Sequence, residues 1–444
     1  MRFYPHLLRS VFLPAYDRIR SRRYVERTRF LEASQWWEPE RLREFQWAEL
    51  RKLLQHAFES VPYYREKYSS AGASFSDIRT WDDFTRLPSL TREEIREHRD
   101  QLCSISYKGR LLPHATGGSS GVPTRFYRTY ESYDWRAAAK DRAYSWAGLR
   151  VGAKSVYLWG APVGAVSKPK IWKTRIHEVV QGQRVFNTFS QTDELWAHIH
   201  AQICRRRPDA IVGYVSSLQQ FAEFLRRTKR PMPRAKGVIA AAEPLFEDAR
   251  RNIEEAFGVP VYNTYGSREF MSLAGECERR DGLHINSENV VVEAGCDRDR
   301  PSHIIVTDLH NYGMPFIRYE IGDLGSLKDG RCACGRGLPR LLRIEGRVLD
   351  TLRTADGRIV PGEFFPHLLK EIPEFARYRV EQKQLDRIVI SAVLTRELSA
   401  RSREMLDREI GRVFGSATRC DIQQVKEIPA LASGKRRITV GMAS

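Results

Sequence analysis

The chain has 444 residues, about three times a usual domain of roughly 150, so it has room for a large core and for two or more lobes. Its 42% hydrophobic and 29% charged residues fall in the globular range and exclude a disordered chain, and no run approaches the ~18 apolar residues of a membrane-spanning helix. Lysine and arginine number 73 against 55 acidic residues, and a formal charge of +18 draws nucleic acid, an anionic membrane surface or a polyphosphate ligand.

The first stretch, MRFYPHLLRSVFLPAYDRIRSRRY, mixes arginine with aromatic residues and is expected to be broken by Pro5 and Pro14. It is too charged for a signal-peptide core. Peripheral contact with a membrane surface competes there with plain docking on the body of the protein. From Pro39 to about Ser69, Leu42, Phe45, Leu50, Leu53, Leu54, Ala57 and Phe58 recur at helical period up to the ValPro of VPYYREKY, so a helical segment is expected to open the chain over 1–70.

Between Pro208 and Gly266 strands and helices alternate. PDAIVGY, KGVIAAAEP and VPVYNTYG read as strands; SSLQQFAEFLRR reads as a Ser-capped helix, and FEDARRNIEEAFG as a helix closed by Gly258. That alternation predicts a parallel sheet covered by helices, with ligands at the carboxyl ends of its strands. The runs Arg205–Arg207 and Arg226–Arg230 follow helices, where cations suit the negative end of the dipole. With no RNA-recognition signature, zinc-finger spacing or zipper, no specific nucleic-acid partner is expected.

HIIVTDL and FIRYEIGDLGSL are two further strands. Beyond Gly346 the pattern becomes FARYRVEQKQ, DRIVISAVL, a helix SREMLDREIGRVFG and a strand DIQQVKEI. The expected fold class is therefore α/β: a large multi-layer N-terminal lobe with a mostly parallel sheet over 1–349, and a small α+β lobe over 350–444. Seven cysteines in so long a chain form no disulfide framework and are expected as reduced thiols in the cytoplasm.

The segment HATGGSSGVPTRF has almost no side chains from Gly117 to Gly121, so its consecutive N–H groups can converge on an anion while Ser119 and Ser120 add hydroxyl donors. The spacing is not that of a Walker loop and lacks its lysine. Taken alone, such a run is more often a flexible surface turn.

Five further motifs follow it in order: AAAEP at Ala240–Pro244, YGSRE at Tyr265–Glu269, TDLHNYGMPFIRYEIGD at Thr307–Asp323, GRVLD at Gly346–Asp350 and SGK at Ser433–Lys435. The ordered set resembles the acyl-adenylate-forming ligase superfamily, and within it the phenylacetate–coenzyme A ligases and the relatives associated with capsular polysaccharide biosynthesis. The similarity runs from about Ser34 to the C-terminal lysine.

The resemblance implies an adenylate-forming ligase fold and a set of site residues. Thr116, Gly117, Gly118, Ser119, Ser120, Gly121 and Thr124 would cradle the phosphates, while Ala242, Glu243, Pro244, Tyr265, Gly266 and Ser267 would line the nucleotide. Tyr265 would pack on the adenine, and Asp323 would accept both ribose hydroxyls through its two oxygens. Glu269 would hold Mg²⁺ through a hard carboxylate oxygen. Arg347 would reach the ribose or phosphates. Lys435 would swing in from the small lobe to bridge the attacking carboxylate and the α-phosphate, with Asp350 as hinge. Here the loop departs from the family's usual wording: Gly118 stands where Ser is common and Val122 where Lys sometimes occurs, which lowers the donor count.

Cys277 and His284 (CERRDGLH) with Cys332 and Cys334 (CACG) provide three thiolates and an imidazole, enough for tetrahedral Zn²⁺, although four unconnected reduced residues account for the pattern equally. Relatives with a similar pattern favour a structural zinc. The resemblance thus implies an ATP- and Mg²⁺-dependent ligase that activates a small carboxylic acid, aryl or arylacetic acids favoured, and passes the acyl group to coenzyme A. The alternative is transfer to an amine or hydroxyl, for example in polysaccharide or secondary-metabolite biosynthesis. A homodimer is compatible with either.

Overall fold

A computed structural model describes residues 4–116, 124–160, 168–189, 192–296, 302–345, 352–360, 362, 364–369, 371–428 and 439–442. The chain divides into two compact units. One comprises Met1–Ala115, Thr124–Trp146 and Thr264–Gly346; the other comprises Thr116–Pro123, Ala147–Asn263 and Arg347–Ser444.

The first unit opens on a continuous helical run over Tyr4–Arg20 that Pro5 and Pro14 do not break, contrary to expectation. A π turn at Leu8–Phe12 precedes Pro14, so the missing N–H falls where the α-helical ladder restarts. Helix Pro39–Ser60 buries Leu42, Leu50, Leu53, Leu54 and Ala57 on one face. It stops at Val61, which is extended because Pro62 follows, and Pro62 then occupies the first turn of helix Pro62–Ser70. Tyr64 and Tyr68 of that second helix stack at 5.3 Å in the core, and the Tyr64 hydroxyl donates to the Pro315 carbonyl at 3.0 Å.

Helix Tyr130–Trp146 has little amphipathic character but buries Arg136 and Arg142. Both guanidiniums are paired: Arg136 with Asp308, and Arg142 with Glu288 at 2.6 Å. Burial of these cations is tolerated because each has a carboxylate partner. The strands of this unit, Ala274–Glu276, Leu283–Ile285, Val290–Glu293, Ser302–Asp308, Tyr319–Lys328 and Arg340–Glu345, pair antiparallel. The hairpin strands Leu112–Ala115 and Arg125–Arg128 bring Ala115 opposite Arg125, so the two ends of the glycine-rich segment enter and leave side by side.

In the second unit the strands read from Pro208 to Gly266 appear as Ala210–Tyr214, Gly237–Ala241 and Val261–Tyr265, joined by Ser155–Trp159 and Gln183–Asn187 in an all-parallel arrangement. Strand Val261–Tyr265 is divided. Its residues 261–263 belong to this unit, whereas Thr264 and Tyr265 pair antiparallel with Gly275 and Ala274 of the first. The sheet is thus mixed: parallel where helices of about a dozen residues link the strands, antiparallel where short turns link them.

Helix Glu247–Phe257 ends on Gly258 at φ +66°, as expected from the glycine. Helix Val215–Arg227 begins one residue earlier than the serine signal suggested, and neither serine caps it. Ser216 instead turns its hydroxyl to Glu243. The C-terminal part forms a sheet in the order Arg419–Gln424, Arg387–Leu394, Phe375–Gln384, Thr439–Val440, with helix Ala400–Phe414 capped by Ser399. Phe364, Phe365, Leu368, Ile410 and Phe414 lie in its core.

Candidate functional site

In the first unit the antiparallel pairing of Thr264 and Tyr265 carries the chain into the turn that holds Gly266, Ser267 and Glu269. Gly266 is obligatory there, since a Cβ would stand 2.0 Å from the Met271 carbonyl oxygen. The Tyr265 hydroxyl donates to Asp323 Oδ2 at 2.8 Å, joining two motifs that lie 58 residues apart. Glu269 is only 3% exposed. Its Oε1 accepts from the Tyr319 hydroxyl at 3.1 Å and lies 3.7 Å from Arg92 Nη2.

Arg92 is the residue that sequence reasoning missed. Its Nε donates to the Tyr319 hydroxyl at 2.7 Å and its Nη2 to the Ile321 carbonyl at 2.7 Å. It thereby braces both neighbours of Asp323 and Glu269 from a helix, Arg92–Glu97, whose start is marked by a Thr91/Glu94 capping box. Burial opposes the charge on Arg92, but the adjoining Tyr319, Glu269 and Asp323 oxygens outweigh it and raise its pKa. The only sequence signal for this helix was TREE, a capping-box pattern that says nothing of a partner more than 170 residues away.

Three cations lie near His114, in the strand Leu112–Ala115. Burial, then the nearby Arg128, Arg268 and Arg136, push the His114 imidazole down to about 3, so it is neutral at pH 7. Arg128 is likewise lowered to about 10, by burial first and then by Arg136. Thr116 and Thr124, the expected outer members of the phosphate cradle, are both buried. Gly117, Gly118, Ser119, Ser120 and Gly121 lie outside the described residues, as do Arg347, Asp350 and Lys435.

In the second unit the AAAEP motif begins in the last two residues of strand Gly237–Ala241 and runs out of it. Ala242 sits in left-handed backbone at φ +66°, which turns the chain out of the sheet. Glu243 accepts from the Ser216 amide at 2.6 Å and its hydroxyl at 2.9 Å, and burial still raises its pKa against both bonds. Pro244 is exposed. In the same unit Trp159 stacks on Tyr214 at 4.4 Å, and the Phe189 ring lies 6.5 Å from that of Tyr214.

The four metal-type residues converge, with all ligand atoms within 4.8 Å of one another. Cys277 Sγ lies 3.8 Å from Cys332 Sγ, and Cys334 Sγ lies 3.4 Å from His284 Nε2. The His284 ring is pinned through Nδ1 to the Leu338 carbonyl at 3.1 Å, which sets Nε2 toward the sulfurs. The amides of Arg279 and Arg336 point at Cys277 and Cys334 at 3.4 and 3.5 Å. Without an ion, burial pushes the Cys277 thiol up to about 12 and His284 down to about 4. Arg336, held between Trp36 and Trp146, donates to Gln35 at 3.0 Å and ties the cluster to the SQWW segment.

The fold is that of the adenylate-forming ligases. A crystal structure of 2-hydroxyisobutyryl-CoA ligase in complex with 2-HIB-AMP and CoA matches with a TM-score of 0.59 at 22% identity, over 91% of this chain and 90% of that one. Among proteins of known sequence, a phenylacetate-coenzyme A ligase of Thermus thermophilus is 28% identical, over 76% of each chain. Protein CapK of Staphylococcus aureus is 23% identical over 81% of this chain and 80% of its own, and residues 352–441 match the family model of the CapK C-terminal domain. These similarities bear out the resemblance read from the motifs. Among the described residues, no helix is long and apolar enough to cross a membrane.

Proposed function

We propose that the chain is an ATP-dependent, AMP-forming ligase that activates a carboxylic acid as its acyl adenylate and transfers the acyl group to coenzyme A. The observation that carries the reading is the hydrogen bond from Tyr265 to Asp323 beside the buried Glu269, which gathers the YGSRE and YEIGD motifs into one place. Joining a carboxylate to a polyphosphate brings two anions together, so the site must neutralise charge as the pyrophosphate leaves. Asp323, oriented by the Tyr265 hydroxyl, accepts the ribose hydroxyls, and the Tyr265 ring packs on the adenine. Glu269 offers a hard oxygen donor suited to Mg²⁺, and the ion supplies charge neutralisation on the phosphates when bound. Arg92 and Tyr319 keep that carboxylate in place.

Within the second unit Glu243 is tethered to Ser216, and its part in nucleotide binding rests on the motif resemblance. The roles of Gly117–Gly121, Arg347 and Lys435 rest on the motif resemblance. The match of 352–441 to a C-terminal domain model supports a small lobe that begins near Asp350 and delivers Lys435. Stacked Trp159 and Tyr214 support an aryl or arylacetic acid. Relatives named for coenzyme A disfavour an amine or hydroxyl acceptor. Cys277, His284, Cys332 and Cys334 hold one structural Zn²⁺.

Pyrophosphate exchange over a panel of carboxylic acids, followed by coenzyme A-dependent turnover, tests the reading. Lys435→Ala is expected to cut adenylate formation by at least about 100-fold, the scale of losing a positioned electrostatic group. An unchanged rate would remove Lys435 from the chemistry, and no exchange with any acid would remove the ligase assignment itself.

A further inference from the structure

The helical run Tyr4–Arg20 presents apolar side chains to solvent although it is anchored to its unit. Leu8 and Asp17 face inward, with the Asp17 carboxylate accepting from the Val25 amide at 2.7 Å and its carbonyl from the Arg22 amide at 2.8 Å. Leu7, Val11, Phe12 and Tyr16 are about half exposed and Ile19 is 79% exposed. Val11 and Phe12 close the π turn, and beyond it Ala15, Tyr16 and Ile19 fall at i, i+1 and i+4, an arc of about 100° at 3.6 residues per turn. On the same projection Arg18 and Arg20 fall at the two edges of that arc and Asp17 opposite it. Both arginines are exposed, and neither has an acidic partner among the described residues. Asp17 is the sole acidic residue from Tyr4 to Val25, and it is buried.

We infer that this helix lies in the interface of an anionic lipid bilayer, its apolar arc among the acyl-chain boundary and Arg18 and Arg20 on the headgroup phosphates. Apolar residues of this kind bordered by arginine are what an in-plane interfacial helix requires. Charge selects the occupant. A second copy of this chain would set the same unpaired arginines, and a +18 body, against their like, whereas anionic headgroups complement both. The arc is fixed outward by the Asp17 anchor, so no ordering of the segment opposes insertion.

The test uses the full chain and vesicles of phosphatidylcholine alone or of equal parts phosphatidylcholine and phosphatidylglycerol. The wild-type chain should sediment with the anionic vesicles, remain free of the neutral ones, and be released by salt. The double variant Phe12→Ser, Ile19→Ser should lower partitioning at least about tenfold through lost apolar burial. Arg18→Glu with Arg20→Glu, a change of four unit charges, should lower it by at least about 100-fold. Pyrophosphate exchange and the thermal midpoint should stay at wild-type values in both, since all four side chains are solvated. Failure to sediment with anionic vesicles, equal binding of wild type and variants, or equal binding to neutral vesicles would overturn the inference. So would light scattering that shows self-association abolished by Phe12→Ser, Ile19→Ser in a chain that ignores vesicles.

Discussion

The cysteine–histidine cluster makes a quantitative prediction. Tetrahedral zinc with Zn–S of about 2.3 Å and Zn–N of about 2.05 Å requires S···S near 3.8 Å and S···N near 3.5 Å. The cluster has 3.8 Å between Cys277 and Cys332 and 3.4 Å between Cys334 and His284 Nε2, with all four ligand atoms within 4.8 Å of one another, so the ligands stand within about 1 Å of that geometry. Structural zinc contributes ~10–16 kcal/mol in small folded sites, or ~2.5–4 kcal/mol for each of four ligands. Cys334→Ser should therefore weaken zinc binding by about 100-fold or more. The purified chain should carry one equivalent of zinc by elemental analysis. Cobalt replacement should give thiolate charge-transfer and tetrahedral d–d absorption, both weakened in the variant. A chelator should lower the thermal midpoint of the wild type and leave that of Cys334→Ser nearly unchanged. A chain that is purified without chelator, holds no zinc or cobalt and melts identically with and without chelator would refute the assignment.

Three other perturbations follow from the geometry. Gly266→Ala places a Cβ against the Met271 carbonyl oxygen at 2.0 Å, so the turn must shift; a loss of ~1–3 kcal/mol in denaturant melts together with impaired ATP binding is expected. Glu269→Gln keeps the volume but removes the anion facing the buried Arg92, and should cut pyrophosphate exchange by at least about 100-fold, with little rescue by added Mg²⁺. His310, stacked on Trp135 at 4.0 Å and bonded to the Glu288 carbonyl at 2.8 Å, is pushed down to about 4 by burial, against the raising influence of that bond and of Asp308 and Glu49. The unfolded chain therefore takes up a proton near pH 6.5 that the folded chain refuses. Its contribution is complete above pH 6.5 and is lost as the pH falls toward 4, on the order of 3 kcal/mol at full loss. His310→Gln should flatten that part of the urea-midpoint profile, and an unchanged profile would show that the ring does not titrate on unfolding.

Much of the architecture was legible because it is written in local period and punctuation. The alternation from Pro208 to Gly266 marked three parallel strands and their helices, and Gly258 marked a helix end through its left-handed backbone. The paired Cys-x6-His and Cys-x-Cys spacings named four residues that the fold gathers. What local pattern misjudged was what a side chain does for a distant neighbour. Ser216 resembled a helix cap, but its hydroxyl and amide serve Glu243, 27 residues on. Pro14 resembled a break, yet the π turn before it absorbs the missing donor. The largely parallel sheet expected from one segment proved mixed, because short connections elsewhere force antiparallel pairing.

Sequence by itself carried the kind of chemistry this chain is equipped for, through the resemblance that the order of its glycine-rich, YGSRE and YEIGD motifs bears to the adenylate-forming ligases. Only the tertiary structure decided which groups meet. Arg92 and Tyr319 close on Glu269, Tyr265 closes on Asp323, and Asp17 turns one face of the first helix outward, across separations of 8 to 227 residues. The physical reason is that hydrogen bonds and burial act through distances of a few ångströms, whereas period and punctuation constrain only a residue's nearest neighbours along the chain.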